Sequence, residues 1–421
     1  MKKILAILFI LFLIFIVFTY WSVSVQPEEV KLSEVIEKEN KNTSSTNDSV
    51  WVIASNLYEG NGLKNFMQGK NYREAWATPI RVATVNLDTL LGGMRIVEEG
   101  GGHQTHSLKL KAPSGILYSL RSINKDPTPV VPDIARDLGL KNIVIDGISA
   151  QHPFGALLSA PLSEAAGVIH THPRLFYVPK QKKLGKYNEA YGDKLYYLEY
   201  ETEGKVNWTT IDSVMEILDT DDLQELRQKY GKRVSVDKET LVRARLFDLL
   251  IGDWDRHAKQ WGWVVQKKDS SYFATPLAGD RDNAFFSIDG VLPAILTQKW
   301  IQPLVRSYEE EIDYMPGLVY PVDVYFLKNT PEEIFVEQAE YLQQHLTDDV
   351  LEAAFKAWPR EINLINKKEI LKKLKARREK LREYALEFKK EIDNKDLLQE
   401  PLKGSEDLEL PEELLQCFDC N

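Results

Sequence analysis

Residues 4–21 read ILAILFILFLIFIVFTYW, a run without one charged side chain. As a helix at 1.5 Å per residue it would be about 27 Å long, close to the hydrocarbon thickness of a bilayer. The run therefore predicts a transmembrane anchor or signal sequence over residues 1–24, set apart from whatever globular part follows. Lys2 and Lys3 precede it, whereas Glu28, Glu29, Glu34, Glu37 and Glu39 dominate what comes after. The positive-inside rule then leads us to expect a cytoplasmic N-terminus and an extracytoplasmic remainder, whether periplasmic, cell-surface or lumenal. A cleaved signal has a shorter apolar stretch and a small-x-small site. Ser22-Val23-Ser24-Val25-Gln26 matches that poorly, so an uncleaved anchor is preferred.

Residues 25–50 are mostly Glu, Lys, Asn, Ser and Thr and cannot build a core, which predicts a disordered tether. Asn42, Asn47 and Asn207 stand in N-x-S/T sequons. The remainder is ordinary globular composition, with 43% hydrophobic and 28% charged residues in 421. A formal net charge of -10 argues against nucleic acid as a partner, which calls for a basic surface. It leaves room for an anionic ligand in a local basic pocket. The two cysteines, Cys417 and Cys420, close an acidic tail over 396–421. A tail disulfide or two idle thiols are the plain readings, since one C-x-x-C supplies only two metal ligands.

Residues 94–99, 103–110 and 116–122 read as successive antiparallel strands, with Gly100, Gly101 and Gly102 at the first turn and Gln104 just beyond. Residues 129–168 read as helical, with Pro161 starting a helix. A strand is expected at 196–200 and helices at 209–230 and 237–251. A hairpin is expected at 261–275, then mostly helix from residue 330, including one long amphipathic helix over 367–390. The order is strand-rich then helix-rich, an α+β layout in two lobes over residues 51–395, dividing near residue 200.

The densest chemistry is Gly252-Asp253-Trp254-Asp255-Arg256-His257-Ala258-Lys259-Gln260, directly after an apolar helix. An ion-paired loop is the plain alternative. The functional one is a site for phosphoryl transfer, which needs a carboxylate to orient and deprotonate an attacking hydroxyl and an oxygen donor to help hold a metal. Asp255 and Gln260 have that spacing. After the hairpin comes Gly279-Asp280-Arg281-Asp282-Asn283. Asp280 and Asp282 offer the hard oxygens that Mg²⁺ or Mn²⁺ prefers, or cap a turn. The three glycines allow backbone N–H groups close to phosphates, or simply form a hairpin tip. Arg121 on the third strand is placed to pair with phosphate and with an acidic residue of the following helix, such as Glu164. His170 and His172 show no obvious third metal ligand.

A glycine loop between strands one and two, a basic residue on strand three, a D-x-H-x-x-Q loop and a following aspartate together resemble the protein-kinase-like fold. The two loops, GDWDRHxxQWGW and GDRDNAFF, resemble its atypical branches: the HipA kinases, the spore-coat kinase CotH and the secreted Golgi casein-kinase group. The resemblance spans roughly 85–300. Residues 120–126 and 149–153 are also similar to uncharacterised bacterial proteins that carry the same loops. It implies a two-lobed fold and an ATP- and Mg²⁺- or Mn²⁺-dependent phosphotransferase acting on a hydroxyl of a protein or small molecule. Carried over by position, Asp255 is the catalytic base and Asp280 a metal ligand with Asp282 as competitor. Gln260 stands where HipA-like kinases have a metal-binding Asn, and Arg121 replaces the usual Lys. His257 is expected to anchor its loop to the core. The last two substitutions, Gln260 and Arg121, keep open a catalytically silent kinase-like binding module in an envelope assembly or an altered nucleotide geometry, and a kinase-like fold that transfers AMP or glutamate in place of phosphate is a further alternative. An extracytoplasmic ATP-consuming enzyme also needs a compartment supplied with ATP.

Overall fold

A computed structural model describes residues 2–24, 48–100, 105–125, 131 and 133–420. The tether residues 25–47 and the loop residues Gly101, Gly102 and Gln104 lie outside these.

Strand β1 (Ser49–Val52) pairs antiparallel with β2 (Ile80–Ala83). Strands β3 (Arg95–Gly100), β4 (Thr105–Lys111), β5 (Leu117–Lys125), β6 (Arg174–Val178) and β7 (Lys194–Tyr200) form an antiparallel sheet in the order β3-β4-β5-β7-β6. Side chains alternate across a strand, and the register uses this. Leu108, Leu110, Tyr118, Leu120, Tyr196 and Leu198 bury on one face. Ser107, Lys109, Ser119, Arg121 and Glu199 point the other way, into a cleft. A one-residue slip would exchange the two sets, so the apolar pattern fixes which polar side chains face the cleft.

The second lobe holds β8 (Val214–Leu218), β9 (Val234–Val236), β10 (Trp261–Lys268) and β11 (Ser271–Ala278), ordered β8-β10-β11-β9. Around them pack the helices Thr220–Tyr230, Lys238–Ile251, Pro321–Leu327, Glu332–His345, Asp348–Ala354, Arg360–Glu379 and Leu381–Asn394. The N-terminal helix Lys2–Ser24 is long and apolar enough to cross a membrane, as an anchor or a signal sequence would be.

Several sequence expectations change. Residues 209–230 are not one helix. Val214–Leu218 forms an edge strand on β10, and the helix starts only at Thr220, where the Asp219 side chain accepts from the Asp222 N–H. Pro161 lies inside the helix Gly155–Ala165. That helix begins earlier, at Gly155, where a Cβ would meet the Ala284 carbonyl at 2.9 Å. The single helix expected over 367–390 is two, parted at Lys380, so that Tyr384, Phe388 and Ile392 can bury. Finally, the acidic tail is part of the core. Leu402, Leu414 and Phe418 are buried, Phe418 accepts from Arg227 through its carbonyl, and Cys417 and Cys420 form a disulfide.

Candidate active site

The helix Lys238–Ile251 begins at Asp237, whose carboxylate accepts from the Thr240 N–H, and ends at Gly252 in the left-handed region with φ 68°. A side chain at 252 would collide with the Tyr308 ring, so glycine is required twice over. This abrupt end sends the chain into the Asp253–Gln260 loop. Arg256 then braces it from beneath. Its Nε lies 3.1 Å from Asp248, NH1 donates to the Gly279 and Asp280 carbonyls at 2.7 and 3.0 Å, and NH2 donates to the Gln260 carbonyl. One side chain thus ties the Asp255 loop to the Asp280 loop. Asp248 also accepts from Arg245 at 3.0 Å and Arg281 at 2.5 Å. Burial alone would raise the Asp248 carboxyl, but the three guanidinium groups outweigh it and hold it low. The anchoring role expected of His257 therefore belongs to Arg256. His257 lines the cleft, with Nε2 3.9 Å from Asp255 and Nδ1 unpartnered.

The cleft between the lobes has a volume near 830 Å³. Gly100, Arg121, Asp255, Gln260 and Asp280 all line it. Arg121 is buried among carboxylates: NH1 donates to Asp280 at 2.8 Å and to Asp282, and NH2 to Glu199 at 2.5 Å. Thr171 holds the other Glu199 oxygen at 2.6 Å, and Lys125 lies 3.3 Å from Asp282. The expected pairing of Arg121 with Glu164 does not form. Glu164 is exposed and lines a separate groove, and strand β7 brings Glu199 to the arginine instead. Two nitrogens of Arg121 are also committed to carboxylates, so its first task is to position aspartates, not to receive phosphate.

Asp280 and Asp282 separate in character. The Asp280 side chain is 36% exposed to the cleft, while that of Asp282 is 11% exposed and held by Arg121 and Lys125. Asp280 adopts φ 36°, a conformation costly for a non-glycine residue and typical of functional positions. Burial works to raise its carboxyl, but Arg121 and Lys125 prevail and hold it near 2. Asn283 reaches from the same loop toward Asp255 at 3.5 Å, while its Oδ1 accepts from Gln151 at 2.8 Å. Glu201 on the sheet side is pushed up to about 7 by burial, against Lys109.

The donor set suits a hard divalent ion. Arg121 and Lys125 face three carboxylates, Glu199, Asp280 and Asp282, of which Asp280 is the most accessible from the cleft. The Glu164–His170–His172 cluster, by contrast, is poorly set for zinc. Its oxygen and nitrogen atoms do converge, with His170 Nε2 at 3.8 Å and His172 Nδ1 at 3.5 Å from Glu164. Yet His170 Nδ1 accepts the His172 N–H at 3.1 Å, so in the neutral ring Nε2 carries the proton and is a donor, not a ligand.

Sequence reasoning did not single out Glu199, Lys125, Asn283, Lys109, Glu201 or the tail residue Lys403, all at or beside this cleft. The alternation of β4, β5 and β7 contained the signal for Lys109 and Glu199. Nothing local pointed to Lys403, which lies 148 positions beyond Asp255.

The first sheet runs in the order one-two-three-five-four, with Gly100 ending its first strand, Arg121 on its third and a helix before its fourth, over a helical lobe bearing Asp255 and Asp280. This is the two-lobed α+β layout expected from the order of elements in the sequence. No protein-family model matches the chain, and no curated protein matches it by sequence. Among solved structures it is similar to the Helicobacter pylori proinflammatory kinase CtkA, at 13% identity and TM-score 0.37 over 68% of this chain and 94% of that one. It is also similar to a chain of the Shewanella oneidensis MR-1 toxin–antitoxin complex of HipA, HipB and operator DNA. There the identity is 10% and the TM-score 0.32, over 75% of this chain and 68% of that one.

Proposed function

We propose that the protein is an ATP- and divalent-metal-dependent phosphotransferase that modifies a hydroxyl group of a protein or small molecule. The observation that supports this most is the convergence of Asp255, Asn283 and Asp280 on one cleft wall, facing a sheet that contributes Gly100, Lys109 and Arg121. In this reading Asp255 orients the acceptor hydroxyl and takes its proton, and Asn283 holds the Asp255 carboxylate in place. Asp280 holds Mg²⁺ or Mn²⁺, with the Gln260 amide as a further oxygen donor. Arg121, fixed by Glu199, keeps Asp280 ionised and aims both Asp280 and Asp282. Lys109 and Lys125 supply positive charge for phosphate oxygens. Bound ATP would supply the transferable phosphoryl group, and the ion would offset charge on its oxygens.

We read the helix Lys2–Ser24 as an uncleaved anchor that leaves the kinase-like part outside the cytoplasm. The Cys417–Cys420 disulfide supports that side, because such bonds persist in oxidising compartments.

The test is thermal unfolding of the full chain with and without ATP and Mg²⁺ or Mn²⁺. Ligand at about one hundred times its Kd adds about 2.7 kcal/mol and raises the midpoint measurably. The expected result is a metal-dependent rise that Asp280→Ala abolishes and Asp255→Asn retains, while Asp255→Asn loses transfer by about 10²- to 10⁴-fold. Absence of any rise with any nucleotide would favour the silent binding module instead.

A further inference from the structure

The end of the anchor helix is not free of the globular part. Ser22 and Val23 are buried against it. The Ser22 hydroxyl accepts from Gln68 Nε2 at 3.0 Å, the Val23 carbonyl accepts from Asn142, and the Tyr20 hydroxyl donates to the Leu138 carbonyl at 3.0 Å. Gln68 closes the short helix Gly62–Gln68. Just beyond it, Asn71 and Asp289 exchange two hydrogen bonds, which seats the segment from Asp289 onward beside the same helix.

Length then sets the position of the membrane surface. The uncharged residues 4–21 rise about 27 Å as a helix, which uses nearly all of a bilayer's hydrocarbon depth of about 30 Å. The docked residues 20–23 therefore sit at the hydrocarbon edge, and the surface that receives them lies within a few ångströms of the headgroups. That surface exposes several large apolar side chains, with Lys299 and Gln302 among them. Phe66 stands on the receiving helix, Leu138 at the tyrosine contact, and Ile295, Leu296, Trp300 and Ile301 on the segment joined through Asp289. Trp300 is 81% exposed, an unfavourable placement in water but the common one for tryptophan at a membrane interface.

We infer that this face, centred on Trp300 and the segment 291–304, rests in the outer layer of the same bilayer that the N-terminal helix spans. The occupant is lipid and not a second protein, because the face is continuous with the docking site of the helix end. The inference rests on the reading of that helix as an uncleaved span. It also gives the segment following the Asp280–Phe286 loop a defined platform, so the cleft is held at a constant height above the membrane.

The full chain is reconstituted in phosphatidylcholine vesicles whose acyl chains carry bromine near the headgroup end, and tryptophan quenching is compared with unbrominated vesicles. Trp21→Phe reports on the helix and Trp300→Phe on the face. Both side chains are largely exposed, so phenylalanine is expected to leave the fold intact. The expected result is that each substitution lowers the quenchable fraction. If Trp21→Phe lowers it and Trp300→Phe does not, the face stands clear of lipid, the inference is overturned with the anchor intact, and a protein partner becomes its occupant. If neither lowers it, the anchor reading falls and takes the inference with it.

Discussion

Arg256 and Asp248 meet at 3.1 Å with neither side chain exposed at all. Through this contact the last part of the helix Lys238–Ile251 holds the loop that carries Asp255, and the same guanidinium reaches the carbonyls of Gly279 and Asp280. Three arginines, 245, 256 and 281, converge on the one carboxylate. Removing the shared partner of a buried ionic network leaves uncompensated charge in a medium that solvates it poorly. Asp248→Ala is therefore expected to cost about 3–5 kcal/mol, read as a lowered urea midpoint. An unchanged midpoint would mean that the arginines find other partners.

The exchange of Glu164 for Glu199 as the partner of Arg121 has a direct check. Glu199→Gln removes the charge that counters the guanidinium, so Arg121 is expected to draw Asp280 closer and to weaken the ATP- and metal-dependent rise in melting temperature by several-fold in affinity. Glu164→Gln, on an exposed carboxylate outside the cleft, is expected to leave that rise unchanged. Equal losses in the two variants would restore the helix residue to the site.

Asp253 is buried, and neither of its oxygens has a hydrogen-bond partner. Burial lifts its carboxyl from 3.8 to about 7, with Arg256 opposing. A carboxyl whose folded pKa lies above its unfolded value favours the folded state in its protonated form. That contribution is complete below the unfolded pKa and is lost as pH rises from 3.8 through about 7. Asp253→Asn is expected to remove this fall. The variant should gain in urea midpoint relative to the wild type between about pH 5 and about pH 8. A parallel pair of pH profiles would show that Asp253 is not the responsible group.

The tail makes a contrasting claim. Phe418 is fully buried against Tyr325 and Phe326, with the Arg227 guanidinium over its ring. Phe418→Ala is expected to cost about 3–5 kcal/mol, as for other buried aromatic truncations. The disulfide beside it closes a very short loop, so paired Cys417→Ser and Cys420→Ser are expected to cost less, about 2 kcal/mol on the chain-entropy account. Chemical denaturation of the two variants settles the order.

What was legible locally in the sequence was whatever depends on period and spacing. The alternation of β3, β4 and β5, the helix before Gly252, the hairpin after Gln260 and the apolar run at residues 4–21 were all visible, because each is dictated by a few neighbouring residues. The errors arose where a distant partner decided. Val214–Leu218 became a strand only because β10 offers an edge to pair with. The acidic tail joined the core because Tyr325, Phe326 and Arg227 provide a site for Phe418.

By itself the sequence determined that two loops of unusual charge, around Asp255 and Asp280, follow an apolar helix and a hairpin in a chain led by a membrane-length helix. Only the tertiary structure decided which carboxylate faces Arg121, which residue ties the two loops together, and where the helix end docks. The physical reason is that charge pairing acts across space and not along the chain. Glu164 and Glu199 are equally acidic in sequence, yet the register of β5 against β7 buries one beside the guanidinium and leaves the other in water.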